Sequence, residues 1–276
     1  MRNRKRIKGS SVFIGILALI LFLLTIYPFF LLVCGSLKDK MQLVESPWFF
    51  ESPMHIENYK MAFASLIKPM LNSMINTVCG LAIIIVCSGL ASYAIVFLEM
   101  PGKNIIFMAI TALLMVPFFA ILIPQFVLVR NMGMYNTYIG QFLPVAAGDT
   151  ALATMLMRTF FQSVSKSVIE SAKVEGCGNF QLFWKIVLPL SKPIVSTVAI
   201  ISGLYMWNDF IWPTVVTSGE DVIPIAVAIT KIVVPFSQGE GVAYAGYVIA
   251  AIPILLLFSL ASKQFVKGMM AGAVKG

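Results

Sequence analysis

From Val12 to Cys34 the chain runs for 23 residues without a charge. A hydrocarbon layer about 30 Å thick is crossed by about 20 apolar residues rising 1.5 Å each. Stretches of this kind lie at approximately 12–34, 72–98, 104–129, 142–162, 192–216 and 243–266, and they predict six membrane-spanning helices. Composition removes the water-soluble alternative. Of 276 residues 59% are hydrophobic and 12% charged, where a soluble domain carries about 25% charge. The mean hydropathy is +0.91. Pro117, Pro124, Pro144 and Pro253 fall inside the predicted spans, which implies kinked helices whose freed carbonyls are satisfied by neighbours.

The charge balance is +8, and the basic residues form no stripe on a soluble domain. They orient the chain in the bilayer and do not point to nucleic acid. With the N-terminus inside, 14 Lys and Arg face the cytoplasm and 6 (Lys38, Lys40, Lys60, Lys68, Arg130, Lys231) face outward, so both termini are expected inside. The two long external loops are 35–71 and 217–242. The first gathers Lys38, Lys40, Lys60 and Lys68 with Asp39, Glu45, Glu51 and Glu57, and its Pro and Trp content predicts a short structured cap with His55 at its surface. Cys34, Cys79, Cys87 and Cys177 form no CxxC pair and His55 is the sole histidine, so metal and disulfide frameworks are not expected. Leu31–Gly35 looks like a lipoprotein cleavage box, but Val33 stands where a small residue is needed, and the apolar run is too long for a signal segment. An uncleaved first span is the reading. No internal repeat is evident.

The inside segment 165–190, between the fourth and fifth spans, is long for a simple link. Ser167 with Glu170 three residues on predicts a capping box, and Gly176 a C-terminal stop. Asn179 is placed to cap a second helix, Phe180 to Val187, with Phe180, Phe183, Trp184 and Val187 on one apolar face, ended by Pro189 and Pro193. A helix-turn-helix at the membrane surface is a docking element by shape.

Glu170, Ser171, Ala172, then Gly176, then Ile186, Leu188 and Pro189 resemble the EAA loop of ABC importer permeases, with Ser171 for Ala and Glu175 for the usual Asp before the glycine. The stretch from Asn131 to Pro144 is similar to the Leu-Gly-Leu-x-Asn-Thr segment of the carbohydrate-uptake branch, the branch of the smaller maltose-type permease subunit. Trp207, Asn208, Asp209 and Phe210 resemble its Trp-Asn-Asp-Phe stretch, and Gly272, Ala273, Val274, Lys275 and Gly276 its tail. The resemblance implies an all-α integral membrane fold with a cytoplasmic coupling helix in the bacterial plasma membrane. It implies uptake of a sugar or oligosaccharide delivered by an extracytoplasmic solute-binding protein. Its partners would be a second homologous permease and two ATPase subunits that bind ATP and Mg; the chain itself would hold no cofactor and no metal.

The resemblance makes Glu170, Ser171, Ala172, Glu175 and Gly176 the ATPase-coupling residues; on the local reading Glu170 only caps its helix and Gly176 only ends it. The tail 272–276 either reaches the ATPase or anchors to lipid headgroups. Trp207, Asn208, Asp209 and Asp149 either line the sugar pathway or, for Asn208 and Asp209, satisfy backbone groups where Pro213 breaks the fifth span. Glu220, Asp221, Gln238 and Glu240 edge a loop that either contacts the binding protein or packs as a re-entrant plug. A non-sugar solute such as a glycerol phosphate ester is the alternative cargo. A secondary transporter would need paired ionisable groups at mid-membrane, and only Asp149 and Asp209 are available. No GxxxxGK[ST] occurs, so ATP must be hydrolysed by other chains, and no acidic cluster supports a membrane enzyme.

Overall fold

The computed structural model describes residues 9–231 and 240–273, with the side chains of 9–12, 261 and 263–273 outside the description. The described elements are all helical. They run α1 (Gly9–Ser36), α2 (Lys40–Glu45), α3 (Glu57–Phe97), α4 (Lys103–Ala112), α5 (Phe118–Asn131), α6 (Tyr138–Phe161) and α7 (Lys166–Val174). There follow α8 (Asn179–Leu182), a π-helical turn (Phe183–Val187), α9 (Leu188–Leu190), α10 (Lys192–Trp207), α11 (Ile211–Val216), α12 (Ile225–Ala228) and α13 (Gly241–Ala273).

Three helices are long and apolar enough to cross a membrane: Phe13–Ser36, Glu57–Phe97 and Gly241–Leu260. The count reaches five if two bent pairs, Lys103–Met115 with Phe118–Asn131 and Asn179–Leu190 with Lys192–Trp207, each form one span. The predicted fourth span coincides with α6, whose 24 residues are long enough but carry Gln141, Asp149, Thr150, Thr154 and Arg158. Two boundaries differ from expectation. α3 begins at Glu57, ahead of the expected span at 72–98; its 41 residues extend about 62 Å, twice a hydrocarbon layer, because helical hydrogen bonding continues past the point where hydropathy fades. The third span is no mild kink: α4 and α5 meet at 100°. Val116 (φ −79°, ψ 118°) and Pro117 (φ −65°, ψ 131°) are both extended, as a proline imposes on the residue before it.

The chain divides into two compact units. One lies within Met1–Leu66 and Lys231–Ala251. In it α2 opens with the capping box of Asp39 and Gln42, and Asn58 donates to the carbonyls of Ser36 (3.1 Å) and Lys38 (2.9 Å). Gly241 is packed where a Cβ would strike the Lys38 carbonyl oxygen. The expected cap is thus present. His55 is a half-buried strut within it, 2.6 Å from Glu57 and 3.5 Å from Asp39, and not a bare surface residue.

The second unit, within Ile67–Thr230 and Ile252–Gly276, holds the main core. Ile84 and Tyr93 of α3, Met157 and Phe161 of α6, Ile169 and Ala172 of α7, Leu182, Phe183 and Val187, and Ile194 and Val198 of α10 pack together. A second cluster places the fully buried Trp212 against Val129 and Val216, with the indole N–H donating to the Gly140 carbonyl at 3.0 Å. The Asn131–Pro144 stretch holds the turn between α5 and α6, at 132–137, and the start of α6. Gly133 (φ +70°) and Asn136 (φ +57°) take left-handed conformations, and Thr137 caps α6 by accepting from the Gly140 N–H at 3.1 Å.

Candidate functional site

Segment 165–190 is built as a face packed inward and a face left outward. Ile169 and Ala172 are 5% and 6% exposed and lie in the main core. Glu170, Ser171, Glu175 and Gly176 are exposed on the opposite side. α7 ends in a Schellman turn: the Gly176 N–H donates to the Lys173 carbonyl and the Cys177 N–H to the Ala172 carbonyl, both at 3.0 Å. Gly176 has φ +84°, and a Cβ there would meet nothing within 4 Å. The predicted stop is present, and the chain's own atoms leave the space around it open.

The capping box is a correction. α7 begins at Lys166 with Ser165 before it, and the Ser165 and Ser167 hydroxyls bond each other at 2.7 Å instead of reaching backbone N–H groups. Starting the helix at Lys166, one residue before the expected cap, puts Ser167 inside the first turn, where it cannot serve as the cap. Glu170 therefore caps nothing. The second helix also differs: Gly178 precedes it and Asn179 is its first residue, its side chain 3.4 Å from the Tyr93 hydroxyl. The Leu188 N–H donates to the Phe183 carbonyl, five residues back, so the turn is wide and the expected single face divides. Phe183 and Val187 are buried, while Phe180 and Trp184 are 73% and 39% exposed. Helices 179–190 and 192–207 then meet at 77° around Ser191, with Pro193 in the first turn of α10.

The far end of α10 breaks at Asn208–Phe210, and Pro213 lies inside the helix that resumes beyond it, not at the break. Both polar side chains serve the backbone there: the Asn208 amide donates to the Leu204 carbonyl at 2.9 Å, and the Asp209 carboxylate accepts from the Trp212 N–H at 3.3 Å. Asp209 is also half-buried in a small cleft of mixed lining, polar at Ser73, Asn76 and Gln141 and apolar at Phe142, Met206 and Pro224. Asp149 of α6 is half-buried, with one carboxylate oxygen unpartnered. Trp207 is 6% exposed and turned inward. Tyr205, which the sequence reading passed over, is 50% exposed and feels both Asp149 and Asp209. Its spacing to Asp209, four residues within the predicted fifth span, was the available signal.

Residues 221–225 are stitched down by side chains remote in sequence. Asn72 donates to the carbonyls of Asp221 (3.1 Å) and Ile223 (2.9 Å), and its amide oxygen accepts from the Tyr138 hydroxyl at 2.7 Å. Gln141 donates to the Val222 carbonyl at 2.9 Å, and the Ile225 N–H donates to Ser73 at 2.8 Å. Ile223, Ile225 and Val227 are buried. This stretch is therefore packed, while Glu220 and Asp221 remain exposed at its edge. Lys68, 2.7 Å away, holds the Asp221 carboxyl below the usual carboxylate range. Glu240 is exposed, and Gln238, Val274, Lys275 and Gly276 lie outside the described residues. Gly272 and Ala273 belong to α13. Among the described residues no three His, Cys, Asp or Glu groups gather as a metal site.

Residues 88–270 match the model of the family described as binding-protein-dependent transport system inner membrane component. A probable ABC transporter permease protein, YurM, of Bacillus subtilis is 32% identical over 94% of this chain and 87% of its own length. The arabinooligosaccharides transport system permease protein AraQ of the same organism is 25% identical across the whole of both chains. The lactose transport system permease protein LacG of Rhizobium radiobacter is 29% identical, also end to end. In fold the chain is similar to one in the crystal structure of a bacterial ABC transporter involved in the import of the acidic polysaccharide alginate, with a TM-score of 0.81 and 20% identity over 96% of this chain and 100% of that one. The chain belongs to the inner membrane components of binding-protein-dependent transport systems, the permease subunits that translocate solute in ABC importers without hydrolysing ATP themselves.

Proposed function

We propose that this permease carries a sugar or oligosaccharide and that α7 couples it to the ATPase. The observation that supports coupling is the two-faced α7. Ile169 and Ala172 bind it to the core while Glu170, Ser171, Glu175 and Gly176 are presented outward, with the Glu170 carboxylate bonded to no group among the described residues. Ala172 thus serves the inner face, and the other four residues serve the partner. Sugar as cargo is supported by relatives whose names specify arabinooligosaccharides, lactose, and melibiose, raffinose and stachyose. Asp149, Tyr205, Asn208 and Asp209 offer carboxylate, amide and aromatic groups suited to hydroxyl-bearing rings, with Tyr205 supplying the aromatic face in place of the buried Trp207.

In this reading the chain has six spans with both termini in the cytoplasm and works beside a second, different permease. Two ATPase subunits sit on the α7 side, and the binding protein on the side of Glu220, Asp221, Gln238 and Glu240. The tail Gly272–Gly276 contacts the ATPase. The test is uptake by vesicles holding the purified complex, with ATP inside, the proton gradient collapsed, and labelled sugar supplied on the cognate binding protein. Sugar accumulation that needs ATP and survives loss of the gradient is expected. Accumulation driven by the gradient without ATP, or of a glycerol phosphate ester in preference to every sugar tried, refutes it.

A further inference from the structure

The cap between α1 and α3 is built inside out. Three of its polar side chains point inward, while Lys40 and Glu45 stay exposed: Lys38 is 1% exposed and its ammonium donates to the Ser46 carbonyl. The Gln42 amide donates to the Pro53 carbonyl at 3.1 Å, and Asn58, 3% exposed, binds two further carbonyls. Its large apolar side chains point outward: Met41 is 66% exposed, Val44 76%, Trp48 54%, Phe49 70% and Ile56 68%. A loop in water covers its large apolar groups and does not bury a lysine ammonium. So contiguous an apolar surface marks an interaction site.

The cap also folds back along the first span. Trp48 stacks on Tyr27 with ring centroids 6.4 Å apart and planes 14° apart, and Phe50 meets Phe30 edge-on at 5.6 Å. Tyr27 lies nine residues before Ser36, the last residue of α1, so Trp48 reaches about 13 Å down the helix axis from its end. A groove lined by Pro28, Leu31, Leu43, Val44 and Trp48 runs between the helix and the cap. The surface of α1 itself is apolar and exposed from Phe13 to Val33. The cap thus continues the exposed apolar surface of a candidate membrane span, and it does so with Tyr27 and Trp48, residue types of membrane interfaces.

We propose that residues 37–56 are a membrane-interfacial anchor. Their outward face is seated among the headgroup and upper acyl regions of phospholipids in the leaflet at the Ser36 end of α1, and they are not a water-exposed loop. The polar interior of the cap then spares its carbonyls and the Lys38 ammonium from contact with lipid. The anchor fixes the start of α3 at the bilayer surface.

The complete importer is placed in phosphatidylcholine vesicles brominated either near the headgroup end or near the middle of an acyl chain. Emission of wild type less that of Trp48→Phe isolates Trp48 while Trp184, Trp207 and Trp212 are retained. Loss of that emission with brominated lipid, greater for the shallow bromine, is expected. Emission untouched by either lipid overturns the proposal, whether an aqueous quencher reaches Trp48 or a protein partner shields it. Should Trp48→Phe not assemble, a spin label at Phe49→Cys decides. Collision with oxygen above that with a water-soluble nickel chelate supports the anchor; the reverse order, or neither, overturns it.

Discussion

Gly176 separates turn geometry from docking fit, because the structure isolates the two effects. Its φ of +84° is left-handed, and the Schellman bonds to Lys173 and Ala172, both 3.0 Å, depend on that conformation. A side chain there costs about 1–2 kcal/mol in conformation alone. Among the described residues no atom lies within 4 Å of the added Cβ, so no clash with them adds to that figure. Asn tolerates the left-handed region and Ala does not. If the ATPase recognises this turn, the strain comes out of the docking free energy, and Gly176→Ala should weaken ATPase association by about 5- to 30-fold. Gly176→Asn should weaken it less through the turn, and Gly176→Leu most, since strain and bulk act together. The assay is retention of the ATPase on the purified permease, followed by uptake in vesicles and by ATPase stimulation with the loaded binding protein. An order in which Asn is worse than Ala would show that bulk and not backbone governs the contact. Wild-type transport by Gly176→Leu, in a complex confirmed to contain the ATPase, would sink the coupling assignment.

Other residues carry separate expectations. Glu170 caps nothing, so Glu170→Ala should leave the melting temperature of the complex within the range of a neutral surface change, about 0.5 kcal/mol. Transport should nevertheless fall by roughly tenfold or more, as loss of a charge-assisted contact to the partner implies. A large thermal shift with normal coupling would reverse that assignment. Trp212→Phe removes the indole N–H from the buried Gly140 carbonyl and should destabilise by about 1–3 kcal/mol, read as a lowered melting temperature. Asn72→Ala frees the carbonyls of Asp221 and Ile223 and leaves the Tyr138 hydroxyl without its acceptor. Faster backbone hydrogen exchange across residues 221–225 should follow, and unchanged exchange there would show that the stitch is not what holds the segment.

Features governed by local chemistry were readable from the chain. Val12–Cys34 reads as a span because nothing in it resists hydrocarbon, and Gly176 reads as a stop because left-handed backbone favours glycine. The helix start at Glu57 was not legible because hydropathy records where water ends and not where helical hydrogen bonding begins; Lys60 and Lys68 are compatible with a helix in water. The 100° turn at Pro117 was half visible, since proline signals a disturbance but not its angle, and the angle came from two consecutive extended residues. Ser167 with Glu170 matched the capping pattern, but Ser165 took the position two residues earlier. The stitching of 221–225 was illegible for another reason. Its donors Asn72 and Gln141 lie 81 to 151 residues from the carbonyls they bind, and no local pattern announces a pairing that only tertiary packing creates.

Ala172 tests whether α7 acts as a lever, because it belongs to the motif yet faces the core. It is 6% exposed, in a cluster with Phe161 at the end of α6 and with Leu182, Phe183 and Val187 ahead of α10. Interiors packed at crystal-like density pass displacement from one element to the next. A push on the outer face of α7 would therefore move the ends of α6 and α10 together, through the 77° join at Ser191. Ala172→Leu adds volume to the inner face and leaves Glu170, Ser171, Glu175 and Gly176 unaltered. Overpacking of this kind costs about 1–3 kcal/mol and is relieved by lifting the helix from its bed. The expected phenotype is uncoupling: the ATPase stays bound, ATP is hydrolysed, and sugar uptake falls out of proportion to any loss of assembled complex. Ser171→Leu, on the outer face, should do the opposite, losing the ATPase while the permease remains as stable as wild type. Equal loss of ATPase binding from both changes would mean that α7 is only a docking site and that force reaches the spans by another route.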